Sequence, residues 1–228
     1  MTLRDAWEGE AGDWIRFAQE PDNFGWLFNL PAFFELLPEP GRLTVDVGCG
    51  EGRVARELKK RGHTVKGIDG SPTLVAAARE ADPSMDVDVA DATALPLEDG
   101  AADLAIAFMT LQSVDDLDAT IAEAARVLST DGRLCAALVH PMNSVEESPD
   151  GYFSEHRYAY DARPDGIELT FHDVHRPLSA YFKALESGGL VVDALREPIP
   201  GPELLAARPH AERWTRTPCF LHLVARKS

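Results

Sequence analysis

The stretch Val45-Asp46-Val47-Gly48-Cys49-Gly50-Glu51-Gly52 is a short, mostly apolar run that ends in three glycines spaced one residue apart. An apolar run closed by glycines reads as a buried strand turning sharply into a helix. Arg53 to Arg61 supplies that helix, with Val54, Ala55 and Leu58 on one face and Gly62 as its stop. Outward from this unit the same rhythm repeats. His63 to Ile68 is a second strand ending at Asp69. Ser71 and Pro72 open a helix through Ala81, as N-cap and first helical residue. Met85 to Val89 and Ala102 to Phe108 are the third and fourth strands, Asp116 to Leu128 is a helix, and Asp131-Gly132 is a turn. Arg133 to Val139 is the fifth strand, followed by His140-Pro141.

Five strands alternating with helices predict an α/β fold, a mostly parallel sheet flanked by helices on both faces. Ligands on such sheets bind beyond the carboxyl ends of the strands, and the glycine loop and the acids described below all fall there. The first forty residues form a helical N-terminal cap of short helices, rich in aromatics (Trp7, Trp14, Phe17, Phe24, Trp26, Phe28, Phe33, Phe34) and broken by Pro21, Pro31, Pro38 and Pro40. Residues 41–228 form one domain. Within it, about 142–177 is an insertion after the fifth strand, where Tyr152 to Arg163 and Ile167 to Val174 pair across Pro164-Asp165-Gly166. A helix over Leu178 to Ser187, strands over Leu190 to Leu195 and Cys219 to Ala225, and a short helix near Glu203 to Ala207 complete the chain.

The 228 residues carry 22 Lys+Arg against 38 Asp+Glu, a formal charge of −16. Such a surface repels phosphate backbones and anionic lipid, which argues against a nucleic-acid or membrane partner. No apolar run approaches the roughly 20 residues that span a bilayer, and Met1 to Glu10 does not read as a signal peptide. Cys49, Cys135 and Cys219 are odd in number and widely spaced, so neither a disulfide framework nor a metal site is expected. A cytoplasmic setting follows.

The glycine spacing is G-x-G-x-G, whereas the dinucleotide fingerprint G-x-G-x-x-G would place its third glycine at Arg53. Asp46, inside the first strand, repels a pyrophosphate and needs either loop N–H groups or a ligand ammonium. Asp69 can accept from a ribose diol, and Asp91-Ala92, after the third strand, from an adenine amino group. Three acids at adjacent strand ends suit a ligand carrying ammonium, ribose and adenine. S-adenosylmethionine has all three.

The first stretch resembles the first motif of class I S-adenosylmethionine-dependent methyltransferases. Gly67-Ile68-Asp69-Gly70-Ser71 resembles their second motif, Asp91-Ala92-x-x-Leu95-Pro96 the third, Asp103-Leu104-Ala105 the start of the fourth strand, and Arg126 to Leu134 the run into the fifth. The resemblance covers about residues 41–141 in register. It implies a Rossmann-like seven-stranded sheet with the last strand antiparallel, S-adenosylmethionine as cofactor, and residue roles. Gly48, Cys49 and Gly50 would lie against the methionine part and Asp46 at its amino end. Asp69 would meet the ribose, Gly70 and Ser71 would border the adenine, and Asp91 and Ala92 would meet its amino edge. Phe108 and Met109 would sit near the methionine. Relatives often carry His where Gln112 stands, so a base at that position is not implied.

Methyl transfer from a sulfonium is an in-line displacement with a neutral leaving thioether, so positioning supplies much of the rate. A hydroxyl acceptor would benefit from a base, and His suits neutral pH. His140, directly after the fifth strand, and His175, before the late helix, are the candidate catalytic residues; the bland reading is that each caps or bridges local backbone. His210 and His222 lie near no motif. Trp14, Gln112, Tyr158 and Tyr160 are the candidate substrate contacts, and Tyr152, Phe153 and Phe171 are further candidate walls of an apolar pocket, though hairpin packing accounts for most such rings. The expected reaction is methylation of a small metabolite, with oxygen favoured over nitrogen or carbon, by a monomer or homodimer. Two rivals are an NAD(P)-dependent oxidoreductase, disfavoured by Arg53 and Asp46, and a non-catalytic S-adenosylmethionine-binding module.

Overall fold

The structure is a computed structural model that describes residues 1–20, 25–147, 149–162 and 167–228. The expected turn Pro164-Asp165-Gly166, Pro21 and Phe24 lie outside the described residues.

Chain order is α1 (Leu3–Gln19), a π-helical turn (Gly25–Asn29), α2 (Leu30–Phe34), β1 (Thr44–Val47), α3 (Arg53–Lys60), β2 (Val65–Asp69), α4 (Pro72–Ala81) and β3 (Asp86–Val89). Then come β4 (Ala102–Phe108), α5 (Leu117–Val127), β5 (Leu128–Val139), α6 (Pro141–Ser144), β6 (His156–Ala162) and β7 (Leu169–His175). The chain ends with α7 (Leu178–Ser187), β8 (Leu190–Arg196), α8 (Pro202–Ala207), a 3-10 segment (Pro209–Thr215) and β9 (Phe220–Lys227).

Seven strands form one sheet in the order β3-β2-β1-β4-β5-β9-β8. β1 pairs in parallel with both β2 and β4, and β9 runs antiparallel between β5 and β8. The chain therefore steps to one side of β1 for β2 and β3, then to the other for β4 and β5. The carboxyl ends of β1 and β4 form the switch point where such sheets bind ligands. The insertion is a separate antiparallel pair, β6 with β7.

Alternation along the central strands builds a core on each face. On β4 and β5, Ala105, Ala107, Leu134, Ala136 and Leu138 pack under α5 and α7. Their neighbours Leu104, Ile106, Cys135 and Ala137 pack under α2, α3 and α4. The helix α4 begins where Ser71 caps it by accepting from Leu74 N, with Pro72 in the first turn.

Two elements differ from expectation. The N-terminal segment opens on one 17-residue helix, and the expected short helices, the π-helical turn and α2, come only after it, because the prolines begin beyond its end. Thr2 and Asp5 close its start as a reciprocal capping box. The Asp131-Gly132 turn is an excursion inside β5: Ala102 faces Leu128 and Leu104 faces Arg133, with Asp131 at φ 62°. β5 is thus longer than expected, and bulged.

Candidate active site

The loop after β1 is shaped by what crowds it. Gly48 has φ 74°, and a Cβ there would overlap the Thr110 side chain. Thr110 donates its hydroxyl to Val47 O at 2.9 Å, tying the end of β4 to the end of β1. The amides of Gly48 and Cys49 both donate to Ile68 O, at 2.8 and 3.0 Å. Gly50 N donates to Asp69 Oδ2, and Ser71 N to Asp69 Oδ1, each at 2.8 Å. Asp69 thereby latches the first loop to the second, and each oxygen keeps a free lone pair. Burial nevertheless raises its pKa, despite the two amides.

Asp46 is buried, and its Oδ2 has no hydrogen-bond partner. Burial first, then the nearby Asp69 and Glu51 carboxylates, push its pKa up to about 8. An orphaned carboxylate oxygen beside two further acids is a site that calls for a cation. Glu51 accepts from Trp14 Nε1 at 3.2 Å and from Arg53 Nε at 3.0 Å. Asp91 Oδ1 accepts from the Thr93 amide at 2.9 Å and hydroxyl at 2.7 Å, while its Oδ2 lies 3.7 Å from Arg4. The Thr93 hydrogen bonds hold the Asp91 pKa low.

These residues line one cavity of about 1010 Å³, large enough for a nucleoside cofactor and a small second ligand. Asp46, Gly48, Cys49, Gly50, Asp69, Gly70, Ser71, Asp91, Ala92, Phe108 and Met109 all border it, and so do Trp14, Gln112, Tyr158 and Tyr160. Met109 takes φ 60°, uncommon for a residue with a side chain. It is fixed there by its amide to Ala137 O at 2.7 Å, and its sulfur receives Asn29 Nδ2 at 3.1 Å. Gln112 Nε2 donates to Met109 O at 2.8 Å, which settles the amide orientation and leaves Oε1 buried without a partner.

The helix α1 roofs the cavity. Arg4 Nε donates to Gly70 O at 2.9 Å, Glu8 accepts from Ser71 and Thr73, and Trp7 Nε1 donates to His172 O at 2.9 Å. The hairpin forms another wall. Cross-strand partners Tyr158 with Asp173 and Tyr160 with Phe171 share the face turned to the cavity. Phe171 stacks on Tyr160 at 4.9 Å and receives the edges of Trp7, Trp14 and Phe17.

Neither candidate base borders the cavity. His140 caps α6: its Nδ1 accepts from Met142 N at 3.0 Å, and its Nε2 lies 3.0 Å from Glu197. Burial lowers its pKa, with Glu197 opposing. His175 Nε2 faces Tyr152 O at 2.9 Å, which requires a proton on Nε2, so Nδ1 accepts from Ser144 Oγ at 2.8 Å. Ser144 reaches the cavity wall; His175 stands behind it. His210, which the sequence placed near no motif, does border the cavity, as do Arg213 and Trp214. Arg4, Ser113, Thr110 and Asp173 also line it and were not singled out from the sequence. For Asp173 the signal was there: it stands two residues from Phe171 in a strand, hence on the same face.

Residues 45–136 match the family model described as a methyltransferase domain. A malonyl-[acyl-carrier protein] O-methyltransferase of Serratia marcescens is 32% identical over 117 residues, covering 49% of this chain and 46% of that protein. A ubiquinone/menaquinone biosynthesis C-methyltransferase of Caulobacter vibrioides is 31% identical over 132 residues, covering 51% and 52%. The chain thus spans about half the length of these curated relatives. The crystal structure of an S-adenosylmethionine dependent methyltransferase from Mesorhizobium loti superposes with a TM-score of 0.70 at 25% identity, covering 86% of this chain and 96% of that one. The sheet order, the glycine loop and these matches make residues 45–136 a methyltransferase domain, on the fold of the class I S-adenosylmethionine-dependent methyltransferases. S-adenosylmethionine is the cofactor of that class, and the orphaned Asp46 oxygen fits its ammonium. Among the described residues no helix is long and apolar enough to cross a membrane.

Proposed function

We propose that the chain transfers the methyl group of S-adenosylmethionine to a small molecule held beneath α1. The observation that carries this reading is the buried, unpartnered Asp46 Oδ2 on the wall that also holds Asp69 and Asp91. Asp46 would take the ammonium, Gly48, Cys49 and Gly50 would flank the methionine chain, and Asp69 would receive the ribose hydroxyls. Gly70 and Ser71 would border the adenine, with Asp91 and Ala92 at its amino edge. Phe108 and Met109 would back the methionine.

The bound sulfonium supplies an activated methyl, and its thioether leaves uncharged, so no acid is required. What the chain adds is placement and exclusion of water: α1 closes one side, the hairpin another, and Trp14, Gln112, Tyr158 and Tyr160 face the second ligand. Oxygen is the acceptor favoured from the sequence, with nitrogen or carbon open, and a hydroxyl acceptor would be helped by a base. His140 and His175 both spend their ring nitrogens elsewhere, so neither supports a hydroxyl acceptor, and the acceptor atom is left to the groups of the wall, His210 among them. The formal charge of −16 supports a small-molecule acceptor over a nucleic acid, and a cytoplasmic setting goes with it.

The test is transfer of labelled methyl from S-adenosylmethionine onto a metabolite extract freed of macromolecules. Label in a small product, dependent on Asp69, supports the reading. Label only in protein or nucleic acid, or none at all, overturns it.

A further inference from the structure

We propose that the methyl acceptor is a small organic amine, bound as its cation by Asp173 and the Gln112 carbonyl against the aromatic wall of the hairpin. This rests on the methyltransferase reading and names the substrate class of the same cavity.

Asp173 is the one carboxylate on the cavity-facing side of β6 and β7. Its cross-strand partner is Tyr158, and the next pair on that face is Tyr160 with Phe171. Asp173 is 1% exposed yet borders the cavity. Its carboxylate accepts from Ser113 Oγ at 2.5 Å and from the Tyr158 hydroxyl. Two nearby basic side chains make their contacts elsewhere. Arg176 binds Glu155 at 3.1 Å and the carbonyls of Leu111, Val114 and Asp115, and His172 faces Glu10 at 3.8 Å. Among the described residues, no salt bridge reaches Asp173. Arg176 and His172 favour its charge from a distance, but burial outweighs them and only hydroxyls bond it, so a ligand cation in contact would offset the remaining cost.

The second observation is independent. Gln112 is 4% exposed, and its amide orientation is fixed by the bond to Met109 O, so the atom left unpartnered is an acceptor. Gln112 and Asp173 come from adjoining segments, since Val174 N donates to Gln112 O at 2.8 Å and Ser113 holds Asp173. An acidic side chain and an orphaned carbonyl require donors, and an ammonium carries several. A carboxylate or phosphate ligand would be repelled by Asp173, and a neutral alcohol would add no charge to the partial compensation that Arg176 and His172 give it.

The remaining wall agrees. Of the arginines on the wall, Arg4 is bonded to Gly70 and Asp91, Arg53 to Glu51, and the exposed Arg213 lies over the Trp214 ring at 3.8 Å. The stacked Tyr158, Tyr160 and Phe171 suit an apolar or aromatic body. Burial pushes the Asp173 pKa up to about 6, against the Ser113 hydrogen bond, so the group is ionised at neutral pH. Methylation needs the nitrogen unprotonated, and the carboxylate that holds the ammonium is also the base that can take its proton.

The experiment is calorimetric titration of the protein saturated with S-adenosylhomocysteine. The probes are a series of arylalkylamines beginning with 2-phenylethylamine and the matched alcohols beginning with 2-phenylethanol. Expected is tighter binding of the amines by about tenfold or more, a preference that Asp173→Asn removes and Gln112→Leu reduces. Unchanged S-adenosylhomocysteine affinity in Asp173→Asn shows the variant folded. Equal or tighter binding of the alcohols, absence of amine binding across the series, or a preference that survives Asp173→Asn overturns the proposal. Failure of the wild type to bind S-adenosylhomocysteine is a different result: it defeats the cofactor reading and takes the acceptor with it.

Discussion

The Glu8 carboxylate on α1 accepts the Thr73 hydroxyl at the start of α4 at 2.6 Å, joining residues 65 apart in sequence across the roof of the cavity. Ser71 donates to the same carboxylate. Burial opposes ionisation of Glu8, but the Ser71 and Thr73 hydrogen bonds outweigh it and lower its pKa. Glu8→Ala should loosen the roof over Gly70 and Ser71, the residues proposed to border the adenine. We expect faster release of S-adenosylhomocysteine by stopped flow and a stability loss of about 1–2 kcal/mol by denaturant unfolding. Release at the wild-type rate would show that α1 is not the gate.

Asp46 makes binding a proton-coupled event. Its folded pKa of about 8 stands above the roughly 3.9 of an unfolded Asp, so the ligand-free fold holds a proton that the unfolded chain has lost. Its contribution to stability is full below about pH 4 and drains away as pH rises toward 8. The melting temperature of the ligand-free protein should fall over that window, and Asp46→Asn should flatten the fall. An ammonium beside Asp46 restores the charged form. Titrations at pH 7 in buffers of different ionisation enthalpy should therefore show proton release on binding S-adenosylhomocysteine, absent in Asp46→Asn.

His140 is a cap. Replacing it with alanine removes the acceptor for the Met142 amide and should cost about 1 kcal/mol. Turnover, followed as S-adenosylhomocysteine formation, should stay near the wild-type level. Lost turnover with intact stability would return His140 to the chemistry.

Gly48→Ala meets both an unfavourable φ and the Thr110 side chain. A stability loss of about 2 kcal/mol or more is expected, with cofactor affinity falling alongside. Adding Thr110→Ser removes the crowding methyl but keeps the hydroxyl for Val47 O, so part of the loss should return. Thermal shift of the single and double variants decides the point.

What the sequence disclosed was what short-range chemistry dictates. β4 spans Ala102–Phe108 as its apolar run requires, and α4 starts where Ser71 and Pro72 set a cap and a fixed φ. The cofactor-side residues lie within a few positions of strand ends, so strand position alone brought them to one wall. The substrate side is different. Whether an imidazole meets a ligand or a carbonyl depends on partners distant in the chain: Glu197 for His140, Ser144 and Tyr152 for His175. Alternation alone puts Asp173 on the face of Phe171, but that this face meets Tyr158 and the cavity shows only in the register of β6 on β7. Arg4 and Glu8 matter because α1 lies across the loops, a docking that its own sequence does not encode locally.

The central claim, that this cavity holds S-adenosylmethionine through its acids, is tested most directly by titrating S-adenosylhomocysteine into the wild type and Asp69→Ala. The account predicts one molecule bound per chain, weakened about tenfold or more when Asp69 no longer receives the ribose hydroxyls. Absence of binding to the wild type, or affinity unchanged in Asp69→Ala, would contradict it.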